Sequence, residues 1–157
     1  VEMITGRKLH IWPGACHVHE KIGDMNLADK QAEHPEAEVL IHPECGCSTA
    51  CMMKQAFNGD CKEAHVQSTS GMLTHARESA ANEFVVATET GILHRMRKEN
   101  PGKTFYAANE NSVCEYMKMT TLTNLRDALV HDRYEVRVAP EMAKAARRPI
   151  DRMLAIG

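Results

Sequence analysis

Thiols, imidazoles and carboxylates gather at a few places along this chain of 157 residues. Pro13-Gly14 is followed by Cys16, His17 and His19. Side by side they suit metal binding or catalysis, although a lone cysteine such as Cys16 also serves as a small buried hydrophobe. His42-Pro43-Glu44 sets an imidazole and a carboxylate two residues apart. Proline fixes the backbone between them, which fits an acid/base or substrate-binding pair; the alternative is a structural histidine with its hydrogen bonds satisfied. Ser68-Thr69-Ser70 reads as a helix N-cap, and the same geometry turns free N–H groups and the positive dipole end toward an anion. Glu89 is a pocket carboxylate or a simple cap, and Cys114 alone reads as core.

The thiol density is unusual: Cys 6, with His 9 and Met 10. A disulfide scaffold needs a secreted chain too small to build a core, and neither condition holds, so cytosolic thiols with some bound to metal are expected. Cys45-Gly46-Cys47, then Cys51 and Cys61, is the densest group. Its spacing departs from the paired pattern of structural zinc sites, which leaves metal, a redox disulfide or neither open. Met52, Met53, Met72, Met96, Met117 and Met119 read as core filler.

These groups need elements to hold them, and short apolar runs alternate with amphipathic stretches. Strands are expected at 9–12, 38–42, 64–67, 83–88 and 104–106. Helices are expected from an Asp24 cap to Glu33, over 48–57 with Asn58-Gly59-Asp60 as exit, over 70–80 and over 91–100. Strands separated by helices with short links imply parallel βα units, and contiguous apolar strands imply a sheet covered on both faces. The fold class is therefore α/β, a three-layer αβα arrangement with a short parallel sheet. Ligands of such sheets bind beyond the strands' carboxyl ends. The polar groups above follow those ends in succession, which is what lifts them over their bland readings. Farther on, Leu122, Leu125, Ala128 and Leu129 share one face of a helix starting near Thr121, and 134–138 is a strand or extended link. Pro140 opens a helix to Leu154, kinked at Pro149.

Composition narrows the function classes. With 43% hydrophobic and 25% charged residues the chain is globular, and about two-thirds of the unfolded surface can be buried at this length. No apolar run approaches the ~20 residues of a membrane span. A net charge of -2 provides no basic field for nucleic acid. Val1 to Lys8 has no apolar core of a secretory signal, so a cytoplasmic location is expected.

The motifs together resemble the quinolinate synthase (NadA) family. They are Trp12-Pro13-Gly14-Ala15-Cys16-His17-Val18-His19-Glu20, His42-Pro43-Glu44-Cys45, Ser68-Thr69-Ser70-Gly71-Met72, Thr88-Glu89-Thr90-Gly91-Ile92-Leu93-His94-Arg95, Cys114 with Met117-Lys118-Met119, and Ile150-Asp151-Arg152-Met153-Leu154. They run in the family's order over essentially the whole chain. The resemblance implies condensation of iminoaspartate, made by L-aspartate oxidase, with dihydroxyacetone phosphate to quinolinate in NAD biosynthesis. It also implies a [4Fe–4S] cluster held by three cysteines, one from each of three similar αβα domains, with an open Lewis-acid iron. By motif, Cys16 and Cys114 resemble two cluster ligands. His42 and Glu44 resemble the catalytic pair that binds iminoaspartate, with Pro43 between them. Ser68 and Thr69 resemble the carboxylate-binding turn, and His19 and Glu89 pocket residues. The resemblance is to the C-terminal portion, in a longer subgroup with a cysteine-rich insertion. Residues 1–16 would end the second domain, 17–110 form the third, and 111–157 pack on the first. The first domain and most of the second are expected upstream of Val1, so this chain alone is expected to be inactive. The alternative is a cytosolic zinc-binding or redox-sensing module built on Cys45, Cys47, Cys51 and Cys61.

Overall fold

The structure is a computed structural model that describes residues 1–57 and 64–156, with the backbone alone at 54, 55 and 57. Cys61 and the expected helix exit at Asn58-Gly59-Asp60 lie outside the described residues. In chain order the elements are α1 (Glu2–Thr5), a 3-10 turn (His19–Lys21), α2 (Asp24–Glu33), β1 (Glu38–Ile41), α3 (Gly46–Phe57), β2 (Ala64–Val66) and α4 (Thr69–Glu78). Then come β3 (Glu83–Ala87), α5 (Ile92–Glu99), β4 (Thr104–Ala107), α6 (Glu115–Lys118), α7 (Leu122–His131) and α8 (Pro140–Leu154). The chain divides into two compact units, Val1–Cys114 and Glu115–Gly157.

The first unit holds one parallel sheet in the order β2-β1-β3-β4. Successive strand residues point to opposite faces, so a sheet buried on both sides needs apolar residues at every position. Val39, Ile41, Val85 and Ala87 face one way and pack with Leu27, Cys47 and Cys51 of α2 and α3. Leu40, Phe84, Val86, Phe105 and Ala107 face the other way and pack with Met72, Leu73, Ala76, Leu93 and Met96 of α4 and α5. Phe84 and Phe105, paired in register, stack with ring centroids 5.3 Å apart. The α/β, three-layer reading therefore holds, and Met72 and Met96 are core filler as expected, whereas Met117 and Met119 are exposed.

Two local details differ. Residues 9–12 form no strand: a strand exists only against a hydrogen-bonding neighbour, and the sheet of the described residues offers this segment none. Leu9, Ile11 and Trp12 are exposed instead. The helix expected from Ser48 starts earlier, at Gly46. A Cβ at Gly46 would lie 3.2 Å from the Ile22 carbonyl oxygen, a tight contact, so glycine eases the close approach of α3 to the end of the turn that carries His19.

The second unit is helical. Thr121 caps α7 by accepting a hydrogen bond from the Asn124 N–H, while Asn124 reaches back to the Thr121 N–H. Leu122, Leu125 and Leu129 share a face that is exposed. Residues 134–138 are a link without strand pairing. Helix α8 opens on Pro140 and continues through Pro149, which has no N–H to give the Ala145 carbonyl. No helix of the described residues is long and apolar enough to cross a membrane.

Candidate functional site

The strand order fixes where a site can form. From β1 the chain leaves into α3 on one face, and from β3 into α5 on the other, so the links after β1 and β3 diverge and open a crevice at the carboxyl ends. His42 follows β1, its N–H bonded to the Ala87 carbonyl at the end of β3 (3.0 Å). Thr88 and Glu89 follow β3, and Gln67, just before Ser68, bonds to Ile41 of β1 (2.9 Å).

His19 is the hub. It is 9% exposed, held by the 3-10 turn against this end of the sheet. Its Nδ1 lies 3.0 Å from Glu44 Oε2, and its Nε2 lies 3.0 Å from the Thr88 hydroxyl. A carboxylate can only accept, so Nδ1 carries a hydrogen and donates to Glu44, while Nε2 is paired with the Thr88 hydroxyl. The ring stacks on His42 with centroids 4.3 Å apart and planes 18° apart. His42 Nδ1 in turn accepts the Glu44 N–H at 3.3 Å, which leaves the ring hydrogen on Nε2. Burial, and next the neighbouring His19, push the His42 imidazole below the ordinary histidine range, against a smaller pull from Glu44. His42 is thus a neutral ring with a donor N–H, and Glu44 an oriented but exposed carboxylate.

The thiols join the same end. Cys16 Sγ lies within 4.8 Å of ligand atoms of both His19 and Glu44, a spacing that could hold a metal. Cys114 is brought in by Glu89, whose Oε2 accepts the Gly91 N–H (2.7 Å) and whose Oε1 accepts the Cys114 N–H (3.3 Å). The neighbouring Thr90 N–H bonds to the Ser112 carbonyl (2.9 Å), tying the loop after β4 to the loop after β3. Cys16 and Cys114 are both half-buried thiols.

Other expected groups are placed differently. Ser68 caps α4, its hydroxyl accepting the Gly71 N–H at 3.2 Å, and Thr69 is the exposed first residue of that helix. The Pro43 carbonyl accepts from the Ser48 hydroxyl (2.8 Å), which braces the turn between His42 and Glu44. Cys45, Cys47 and Cys51 are buried in the core beside α2 and α3. The Cys45 thiol lies 2.9 Å from the Ala87 carbonyl oxygen. A hydrogen bond with Cys47, and then burial, push Cys45 up and keep it protonated, while the same bond lowers Cys47.

Thr88 is the site residue that the motif Thr88-Glu89-Thr90-Gly91 contains without giving it a role. It is 4% exposed and gives the His19 Nε2 a hydrogen-bond partner at 3.0 Å. Its sequence signal is faint: a hydroxyl directly after the contiguous apolar run Phe84 to Ala87.

A family model described as quinolinate synthetase A protein matches residues 1–155. The quinolinate synthase of Thermus thermophilus is 45% identical over 157 residues, covering 100% of this chain and 49% of that protein. That of Pyrobaculum aerophilum is 44% identical over 149 residues, 95% of this chain and 48% of the relative. That of a Mycobacterium species (strain KMS) is 44% identical over 161 residues, 100% of this chain and 47% of the relative. The chain spans about half the length of the curated relatives it matches.

Proposed function

Because the chain belongs to the quinolinate synthetase A family, we propose that it supplies the His42–Glu44 half of a quinolinate synthase site. In this reading residues 17–110 are the third αβα domain, residues 1–16 end the second, and 111–157 pack on the first. The enzyme works in the cytoplasm. It joins iminoaspartate, delivered by L-aspartate oxidase, to dihydroxyacetone phosphate, closes the ring and releases phosphate and water.

The single observation that carries the reading is the linked array at the β1/β3 crevice: Thr88 to His19, His19 to Glu44, His19 stacked on His42, with Cys16 alongside. Ring formation removes protons from carbon and nitrogen and expels oxygen leaving groups, so it needs a base and an acid within reach of one substrate. Glu44 takes the protons, since its carboxylate is exposed toward solvent yet oriented by His19. His42, neutral with its hydrogen on Nε2, donates to a substrate carboxylate or carbonyl oxygen. Thr69, first in α4, binds a substrate carboxylate at the helix N-terminus, with Ser68 holding that turn. Glu89 is a positioning residue, setting the Cys114 backbone.

The donor set fits part of a [4Fe–4S] cluster. Iron–sulfur clusters are held by thiolates, and Cys16 and Cys114 are half-buried thiols braced at the same sheet end. They would hold two corners, and a third cysteine would come from sequence beyond this chain. When bound, the cluster supplies a Lewis-acidic iron for substrate oxygen.

Anaerobic reconstitution of a protein extended to the relatives' full length tests this. Cys16→Ser and Cys114→Ser should each abolish iron and sulfide retention, whereas Glu44→Gln should keep the cluster and lose turnover. Full iron retention in both serine variants overturns the ligand assignment, and full turnover in Glu44→Gln overturns the base.

A redox-sensing thiol pair is a second reading, favoured by Cys45 and Cys47 being buried in the same core cluster. Mass mapping after mild oxidation should then find them joined, and two unpaired thiols reject it.

A further inference from the structure

A second cluster of ligand-type side chains lies on the other side of the first unit, and none of the chemistry above uses it. Glu38 opens β1, His65 is the middle residue of β2, and His75 lies on α4. Strand register brings the first two to one face. Glu38 and Leu40 alternate onto the α4 side, and His65 pairs in register with Leu40, so it shares that side. His75 comes down between Met72 and Ala76, which seat α4 on the sheet.

One ligand atom from each of Glu38, His65 and His75 lies within 4.8 Å of the others. The His75 Nε2 to Glu38 Oε2 separation is 2.6 Å, and the two imidazole centroids are 4.1 Å apart. Ligand atoms around a tetrahedral zinc sit about 3.3 Å apart, given metal–nitrogen bonds near 2.0–2.1 Å, so small side-chain movements would close the set. We infer that Glu38, His65 and His75 form a binding site for a divalent transition-metal ion, zinc by chemistry, on the α4 face of the sheet.

Three observations favour this over a simple ion pair tying α4 to β1. An ion pair needs one histidine, and the second imidazole beside it only adds repulsion when both rings are protonated, whereas a metal ion uses both lone pairs. The Ser79 hydroxyl donates to Glu38 Oε1 at 2.9 Å, holding the carboxylate so that Oε2 faces the imidazoles, as outer-sphere partners of metal carboxylates do. The His75 and Glu38 side chains are 20% and 27% exposed, which leaves an entry path and room for a water ligand. Two nitrogens and one oxygen suit zinc better than calcium or magnesium. Glu38 and His42 are four residues apart along an extended strand, about 13 Å, so the two clusters are separate.

Cobalt(II) added to the complete metal-free chain is the probe, since a site without sulfur gives ligand-field bands and no thiolate-to-cobalt charge transfer. The expected result is about one equivalent bound with that spectrum, surviving Cys16→Ser, which removes the thiol of the other cluster. His65→Gln and Glu38→Gln should each weaken binding by about ten-fold or more. Glutamine at position 38 keeps the shape and an acceptor for His75, so a natively folded variant is read even if His65→Gln is unstable. Zinc should raise the melting temperature of the unmodified chain and not that of Glu38→Gln. Cobalt uptake unchanged in Glu38→Gln, uptake lost in Cys16→Ser, or no sulfur-free uptake by the natively folded chain overturns the site.

Discussion

At one end of β1 the His19 side chain is 11% exposed and its carboxylate partner Glu44 is 62% exposed. At the other end His75 and its partner Glu38 are 20% and 27% exposed. In the first pair the histidine is locked between two partners and the carboxylate reaches out. In the second the carboxylate is locked, with His75 on one oxygen and Ser79 on the other. The contrast separates two uses of the same residue types. A carboxylate oriented through one oxygen keeps acceptor capacity for a substrate, while one engaged through both serves to hold elements together or to grip an ion.

Substitutions can break or sharpen this contrast. The largest effect is expected at Glu44: in a protein of the relatives' full length, Glu44→Gln should lower kcat by about 10²–10⁴-fold, the range for losing a general base. Steady-state kinetics on cluster-loaded protein checks it, and a change confined to KM would reduce Glu44 to a binding group. Thr88→Val should come next. It leaves the buried His19 Nε2 without its hydrogen-bond partner, at about 1–3 kcal/mol of stability. It should also lower kcat with less change in KM, and Thr88→Ser should restore both, as expected for a positioning residue. Glu38→Ala deserts two donors, from His75 and Ser79, and should cost about 1–3 kcal/mol in urea denaturation of the metal-free chain.

The smallest effect is the pH dependence of stability. Burial pushes His42 and His65 down from the ordinary 6.5. Burial also raises the Glu38 carboxyl, but the hydrogen bonds from His75 and Ser79 outweigh it and hold the group below 4.5. For all three the unfolded chain binds more protons in acid, so stability falls as pH falls. The loss should begin below 6.5 and continue below 4.5. His65→Gln should flatten the upper part of the curve and Glu38→Gln the lower part; a curve unchanged by either would separate this cluster from acid stability.

The sheet was legible because burial on both faces writes itself as contiguous apolar runs, as in Phe84-Val85-Val86-Ala87. The same rule misread Leu9 to Trp12, since an apolar run does not say whether a pairing neighbour exists. Motifs after strand ends pointed to His42, Glu44 and Cys114, because parallel strands deliver their ends to one edge, whereas Cys16 was singled out beside a run, Leu9 to Trp12, that forms no strand. The role of Thr88 stayed hidden because it depends on a contact with His19, 69 residues away in sequence. Glu38, His65 and His75 stayed hidden for a related reason: only the register of β1 against β2 puts them on one face. The apolar stripe of α7 was legible as a pattern, but a pattern does not name what covers it, and Leu122, Leu125 and Leu129 are exposed.

The carboxylate shared between Gly91 and Cys114 has a consequence for the order of assembly. Glu89, Gly91 and Cys114 all belong to the unit that ends at Cys114. The Cys114 backbone is therefore located by a strand end and the start of α5. A chain folding from its start can set this corner of the site as soon as β3, α5 and β4 have docked, before α6 to α8 take shape.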